Sequence, residues 1–447
     1  MAKKILVLGA GKSATRIISY LLEQSIKHDW KITVGDIDKD LAVQKINGHP
    51  NGTAVKFNVT DDADRDKYIG EVDIVASLLP FIFHKTVAQD CLRLGKHLVT
   101  ASYVDQDSIE MDQAFRQAGL LFMGEIGLDP GIDHLATMRM LDDLQEKGAK
   151  IEGVFSHAGA LMHPESLQEN PWKYKFTWAP MNVVKAGQGI SQYLQGGELK
   201  YVPYNRVFNF TFQRNIQGIP FEIYPNRDSP KYLEKYHLKD VGTFMRGTIR
   251  YQGYCDAWDS FVELGWTNDS YEVNTDWLTY TGLLRQYLPE KLLEENSTEE
   301  ALALFLHQPM DGPVMDKLRW LELFDHKPIA MEKGTPAQIL HKLLSEKWKL
   351  EEGDKDMIVM LHEIDYSLNG EKRRASATLI HNGVDSENTA IASLVGLPSG
   401  MMVKLIANGK LDGLTGVKIP IMPEVYNPIL TELEEYGVVF EETDELV

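Results

Sequence analysis

The N-terminal 125 or so residues repeat one pattern: a short, almost continuously apolar run, a turn, then apolar residues at helical spacing. The runs at 5–8 (ILVL), 31–36 (KITVGD), 53–59 (TAVKFNV), 72–79 (VDIVASLL), 97–101 (HLVTA) and 120–125 (LLFMGE) predict strands. Their unbroken apolar character suits strands covered on both faces. Between them Ile17, Ile18, Leu21 and Leu22, then Val87, Cys91 and Leu94, then Met111, Phe115 and Ala118 recur at the helical period. This alternation predicts an α/β fold with a Rossmann-type, doubly wound parallel sheet.

After DPGIDH the texture changes. HLATMRMLDDLQ predicts a helix from about His134, with Asp133 as its N-cap. Beyond Lys150, aromatic and alternating runs such as VFNFTF and TIRYQGY predict a largely antiparallel sheet. Residues 277–348 read as helical and charged. NTAIASLVGLPSGMMVKLIANG has helical periodicity interrupted at Leu397, Pro398, Ser399 and Gly400, and is expected to pack back on the first domain. The expected division is a dinucleotide-binding domain over 1–131, an α+β substrate-binding and dimerisation domain over 132–385, and a C-terminal segment over 386–447.

LVLGAGKSAT, at 6–15, carries two overlapping phosphate signatures. A triphosphate-binding P-loop needs a glycine five residues before its Gly-Lys pair, and Leu6 stands there. A dinucleotide fingerprint needs glycines for a tight turn and for close approach of the pyrophosphate, then a small residue where helix meets strand. Gly9, Gly11 and Ala14 meet those demands, with Lys12 and Ser13 free to contact the pyrophosphate. Asp36 ends the second strand, where a carboxylate can accept from the adenosine ribose and would repel a 2′-phosphate, and Ile37 follows it. The expectation is NAD in preference to NADP, with a turn residue at the start of DIDKD as the alternative role of Asp36. The strand ends add Asn58, Val59, Leu78, Leu79, Thr100, Gly127 and Leu128 to the expected cofactor site.

Composition narrows the partners. The 447 residues carry 46 Lys+Arg against 65 Asp+Glu, a net charge of -19, with no dense basic run. Nucleic acid and anionic membrane are therefore not expected partners. Cys91 and Cys255 lack any CxxC spacing, which disfavours a disulfide framework and a thiolate metal site and fits a reducing compartment. The N-terminus meets its glycine turn too early for a secretory signal, and no run approaches the length of a membrane span. A cytoplasmic protein without a metal site is expected.

Ligands of doubly wound sheets lie beyond the carboxyl ends of the strands. TASYVD and EIGLDPGIDH belong there, placing Ser102, Tyr103 and Asp129 near the cofactor's reactive ring. Asp129 reads equally as a turn residue before Pro130 and as an acid-base group, while Ser102 and Tyr103 read also as a cap and a packed phenol. An acidic chain can still bind an acidic small molecule if its pocket collects arginines. YPNRDS and FMRGTIRYQG supply Arg227, Arg246 and Arg250, whose guanidinium groups suit bidentate bonds to carboxylates.

SLLPFIFH, HLVTASY, EIGLDPGIDH, NPWKYKFTW, YPNRDS and RGTIRYQG, in that order, resemble the saccharopine dehydrogenases that form L-glutamate, and the resemblance covers nearly the whole chain. It implies reversible, NAD(P)-dependent oxidation of saccharopine, an amine with three carboxylates, in lysine metabolism. It also implies acid-base roles for Asp129 and Tyr103, substrate contacts from Ser102, Arg227, Arg246, Thr248 and Arg250, and a homodimer. The chain departs from the family's fungal members at SHAGA, where Ala158 replaces a cysteine proposed as an acid-base participant and His157 stands beside it. The alternatives are a related amine-aldehyde reductase of the carboxynorspermidine or homospermidine type, and a non-catalytic NAD-binding regulator.

Overall fold

The strand-helix alternation is realised in a computed structural model, which describes residues 2–167, 169–186 and 188–447. In chain order come β1 (Lys4–Leu8), α1 (Thr15–His28), β2 (Lys31–Asp36), α2 (Lys39–Ile46), β3 (Gly52–Lys56), α3 (Asp62–Gly70) and β4 (Ile74–Ser77). They are followed by α4 (His84–Leu94), β5 (His97–Thr100), α5 (Gln106–Glu110), α6 (Asp112–Gln117), β6 (Leu121–Met123) and α7 (Ile132–Glu146). The strands lie in the order β3-β2-β1-β4-β5-β6 and all their pairings are parallel. Leu6 and Leu8 of β1 and Val75 of β4 are fully buried, as the unalternating pattern requires.

The chain forms two compact units, one made of Met1–Ile151 with Ile364–Val447 and the other of Glu152–Glu363. The first joint falls later than Gly131 and the second before Asp385, so α7 belongs to the first unit. Asp133 is not the N-cap of α7: Gly131 holds that position, and the Asp133 carboxylate in the first turn accepts from the Gly131 N–H.

The second unit contains β7 (Lys150–Met162), α8 (Pro180–Val184), β8 (Ile190–Gln195), β9 (Glu198–Pro203), β10 (Phe212–Ile216), β11 (Ile219–Pro225), β12 (Thr243–Tyr251), α9 (Tyr254–Glu263) and β13 (Val273–Asn274). Next are α10 (Tyr280–Tyr287), α11 (Glu290–Glu295), α12 (Thr298–Phe305), α13 (Pro313–Trp320), β14 (Lys333–Gly334), α14 (Pro336–Lys347) and β15 (Asp356–Leu368). The order β10-β11-β12-β7-β15 gives a mixed sheet: β11 pairs antiparallel with β10 and β12, and β12 pairs parallel with β7. VFNFTF is not one strand. Tyr204–Asn209 is a 3-10 turn that sends the adjacent Val207 and Phe208 together into the aromatic core, which the alternation of a strand would forbid.

Back in the first unit, the C-terminal segment adds β16 (Glu371–Asn382), α15 (Ala390–Ala407), β17 (Gly416–Lys418), α16 (Pro423–Glu435) and β18 (Glu441–Leu446). β17 extends the parallel sheet beside β6. α15 runs unbroken through Pro398, and it is long and apolar enough to cross a membrane, where the sequence pattern suggested an interruption and no such span. Its apolar surface is used inside the unit. A Cβ on Gly396 would stand 2.6 Å from the backbone nitrogen of Ile17, and one on Gly400 2.6 Å from the ring of Tyr20, so α1 and α15 meet with almost no side-chain spacer.

Alanine normally gains about 1 kcal/mol over glycine inside a helix. Gly396→Ala should nevertheless lose about 1–3 kcal/mol, because the new methyl meets main chain that cannot give way. The denaturant midpoint should fall; a rise would mean that the two helices part easily.

Candidate functional site

In the first unit the predicted cofactor residues gather at the carboxyl ends of adjacent strands. Gly9 leaves β1 with φ +98 and donates to the carbonyl of Gly35, 2.8 Å away. A Cβ there would approach the carbonyl oxygen of Leu78 to 3.2 Å, so this glycine serves the turn itself. Gly11 differs: its φ is -64 and a Cβ would meet no protein atom within 4 Å. What a side chain would fill at Gly11 is the open space in front of the loop, which suits close approach of a pyrophosphate. Lys12 and Ser13 are exposed on the 3-10 turn Lys12–Ala14, and Ala14 is buried where α1 begins. Leu78 and Leu79 follow β4, Thr100 ends β5, and Asn58 and Val59 follow β3.

Asp36 is committed within the chain. One carboxylate oxygen accepts from the Ala10 N–H at 2.7 Å and the other from the Asp38 N–H at 2.9 Å. Both oxygens brace the loops after β1 and β2, which is the turn role, while Ile37 is exposed beside it.

The segments after β5 and β6 are stitched together. The N–H of Glu125 donates to the carbonyl of Ser102 at 2.9 Å and that of Ile126 to Thr100 at 3.3 Å. Glu125 is wholly buried with φ +55; its carboxylate accepts from the Val104 N–H at 3.1 Å and lies 2.9 Å from Nε2 of the equally buried His134. Gly127 and Leu128 are buried behind this clamp, and Asp129 is half-buried on the same turn. Ser102, Tyr103 and Asp129 are thus carried on one hydrogen-bonded pair of loops.

Sequence reasoning missed Glu125 as the anchor, and it missed His84. The Nε2 of His84, at the start of α4, lies 2.9 Å from the Ser102 hydroxyl. No spacing rule reveals such a pair, because parallel strands with a helix between them bring it together.

In the second unit Arg246, Thr248 and Arg250 occupy alternate positions of β12 and so share one face. Their register neighbours are Ser156 and Ala158 on β7, and Tyr224 and Glu222 on β11. Arg227 does not join them: it is exposed after β11 with φ +32, and its carbonyl accepts from the Gln192 N–H. The Arg246 guanidinium lies 4.7 Å from the ring centre of Tyr232.

Arg250 is the unusual member. It is 4% exposed, and its guanidinium sits 5.3 Å from the rings of Tyr174 and Tyr254 and 5.8 Å from Tyr224. One terminal nitrogen donates to the Ile249 carbonyl at 2.9 Å, and Nε has no partner. The carboxylate opposite on β11, Glu222, is taken by the N–H groups of Gly253 and Cys255. Burial pushes the hydroxyls of Tyr174, Tyr224 and Tyr254 up from their ordinary range, against the pull of the Arg250 charge, so all three stay neutral. Among the described residues, no carboxylate pairs with this guanidinium.

Comparison with known proteins covers nearly the whole chain. Residues 5–123 match the family model described as the saccharopine dehydrogenase NADP binding domain, and residues 127–438 match the saccharopine dehydrogenase C-terminal domain. The chain belongs to the saccharopine dehydrogenase family. It is 31% identical to the saccharopine dehydrogenase [NADP(+), L-glutamate-forming] of Schizosaccharomyces pombe, with 98% of both chains covered. It is 32% identical to the mitochondrial alpha-aminoadipic semialdehyde synthase of Bos taurus, covering 98% of this chain and 47% of that one. The apo L-Glu-forming saccharopine dehydrogenase of Saccharomyces cerevisiae superposes with a TM-score of 0.89 at 29% identity, covering 99% of this chain and 100% of that one.

These matches correct the expected cofactor. The fungal relatives are named for NADP(+) and the N-terminal model is an NADP binding domain, so the NAD preference drawn from Asp36 does not hold. The physical reason is visible: a carboxylate already bonded to two main-chain N–H groups is a poor reporter of which ribose lies beside it.

The family cysteine position is equally plain. Ala158 faces Thr248, whereas His157 is in register with Gly247 and points to the other face of the sheet, where a Cβ on Gly247 would stand 2.6 Å from its Nδ1. The imidazole does not replace the cysteine. Burial lowers the His157 pKa to about 3, helped by the charges of Arg214 and His362.

The folded state therefore refuses a proton that the unfolded chain takes up below about pH 6.5. Stability from this group is intact above that pH and falls as the pH drops toward 3, by up to about 1.4 kcal/mol per pH unit. His157→Gln should flatten the decline between about pH 6 and 4, read from denaturant midpoints; an unchanged slope would show that His157 titrates alike in both states.

Proposed function

We propose that this chain catalyses the reversible, NADP-dependent oxidation of saccharopine to L-glutamate and 2-aminoadipate 6-semialdehyde. The observation that carries the substrate assignment is Arg250: a guanidinium buried among neutral phenols lacks a counter-ion that a substrate carboxylate would provide. Cationic polyamine-type substrates would meet the same charge as repulsion, which disfavours the carboxynorspermidine and homospermidine readings.

The loop around Gly9, Gly11 and Ala14 would hold the pyrophosphate, and the bound dinucleotide supplies a hydride acceptor. The chain's own residues must then bind carboxylates and move protons. Arg250 takes one carboxylate in its aromatic pocket, with Arg246 and Thr248 on the same face and Arg227 at its exposed turn binding the remainder. Ser102 meets the substrate, while Asp129 and Tyr103 take the amine proton and pass protons during hydration of the imine and collapse of the carbinolamine to amine and aldehyde. A homodimer and a cytoplasmic location belong to this proposal, supported by the family resemblance and the acidic, cysteine-poor composition.

Purified protein with saccharopine should reduce NADP and release one L-glutamate per NADPH formed. Arg250→Met should lower kcat/KM for saccharopine by about 10–100-fold, the worth of a charge-assisted hydrogen bond. Failure of the unaltered protein to reduce NADP removes the proposed reaction, and undiminished saccharopine turnover by the variant removes Arg250 from the site.

A further inference from the structure

The Ser102 hydroxyl is not required to hold its own loop. The Ser102 N–H donates to the Thr100 hydroxyl at 3.3 Å and its carbonyl accepts from Glu125, so main-chain bonds already fix the segment. The hydroxyl oxygen instead lies 2.9 Å from Nε2 of His84. His84 is 5% exposed, its Nδ1 stands 3.5 Å from the Thr100 hydroxyl, and the Leu79 carbonyl lies against the ring. A carbonyl can only accept, so the ring nitrogen that meets it carries the single hydrogen of a neutral imidazole. Burial favours that neutral form, with the Leu79 carbonyl and the Asp105 charge opposing. In the tautomer with that hydrogen on Nδ1, Nε2 is bare and Ser102 donates its hydroxyl hydrogen inward.

A serine that donates inward turns its oxygen lone pairs outward. Ser102 stands at the carboxyl end of β5, the edge where doubly wound sheets meet their ligands. We infer that His84 carries its hydrogen on Nδ1 and is a positioning residue that fixes the Ser102 hydroxyl as a hydrogen-bond acceptor, aimed at an N–H of the substrate's secondary amine. The inference rests on the saccharopine reading and adds a group whose loss acts only through Ser102. α4 does not need the imidazole as a cap, because the ring's hydrogen-bonding groups turn toward β5 and Leu79 and its N-cap position is Phe83.

The full-length protein is assayed for saccharopine oxidation with NADP as wild type, His84→Phe, His84→Gln, Ser102→Ala and the double variant His84→Phe with Ser102→Ala. His84→Phe and Ser102→Ala should each lower kcat/KM for saccharopine by about tenfold or more. The double variant should fall no further than Ser102→Ala, since the two act as one unit. His84→Gln, whose amide oxygen can accept in place of Nε2, should recover most of the loss, and the Kd for NADP should be unchanged throughout. Additive losses, a loss confined to NADP binding, or His84→Gln as impaired as Ser102→Ala would each overturn the inference, and the last comparison decides the matter even if His84→Phe does not fold. A wild type that leaves NADP unreduced overturns the parent reading and this inference with it.

Discussion

The substrate reading depends on a positive charge buried without a negative one. Stripping a guanidinium of water costs several kcal/mol unless its hydrogens and charge are met. Around Arg250 the chain supplies one main-chain carbonyl and the faces of three tyrosines, and cation-π contact returns only part of that cost. The tyrosines are held in turn by a tryptophan cluster. Trp172 stacks edge-on to Trp348 at 5.4 Å, and Tyr254 lies face-on to Trp258 at 5.6 Å. Much of what would pass as hydrophobic core in the second unit therefore also surrounds a buried charge.

The first unit solves its own problem with small residues and main-chain bonds. Gly9 makes the turn possible and Gly11 leaves room in front of it. The clamp of Glu125 and His134 then fixes the turn that carries Asp129, and close packing of α15 on α1 supports the helix that starts at the loop. Each device fixes backbone rather than presenting a reactive group.

The parallel sheet was legible because strands covered on both faces leave an unbroken apolar signal, and the glycine loop because each of its residues has a separate steric duty. Arg246 and Arg250 stood out as carboxylate-binding candidates and Thr248 through the resemblance, while their common face appears only once β12 is in place. Less could be read where tertiary packing overrode local pattern. Pro398 looked like an interruption, yet α15 continues through it because its surface is buried against α1, and VFNFTF looked like a strand although both Val207 and Phe208 point inward. Asp36 shows the limit for cofactor choice: its type and place suggested a ribose contact, while its bond to the Ala10 N–H forms only once the loops after β1 and β2 meet. His84 ends the SLLPFIFH segment, but nothing tied it to Ser102, since that partner is reached through a crossover and not through spacing.

The most direct measurement of the central claim is the unfolding free energy of the wild type and of Arg250→Met, each with and without saccharopine. Without ligand, replacing an uncompensated buried charge by a methionine should leave the protein as stable or more stable. With saccharopine at a hundred times its Kd the wild type should gain about 2.7 kcal/mol, and the variant at the same concentration much less. A variant that is clearly destabilised when empty and gains as much as the wild type when saccharopine is added would contradict the account, for the guanidinium would then be a structural group and not the seat of a substrate carboxylate.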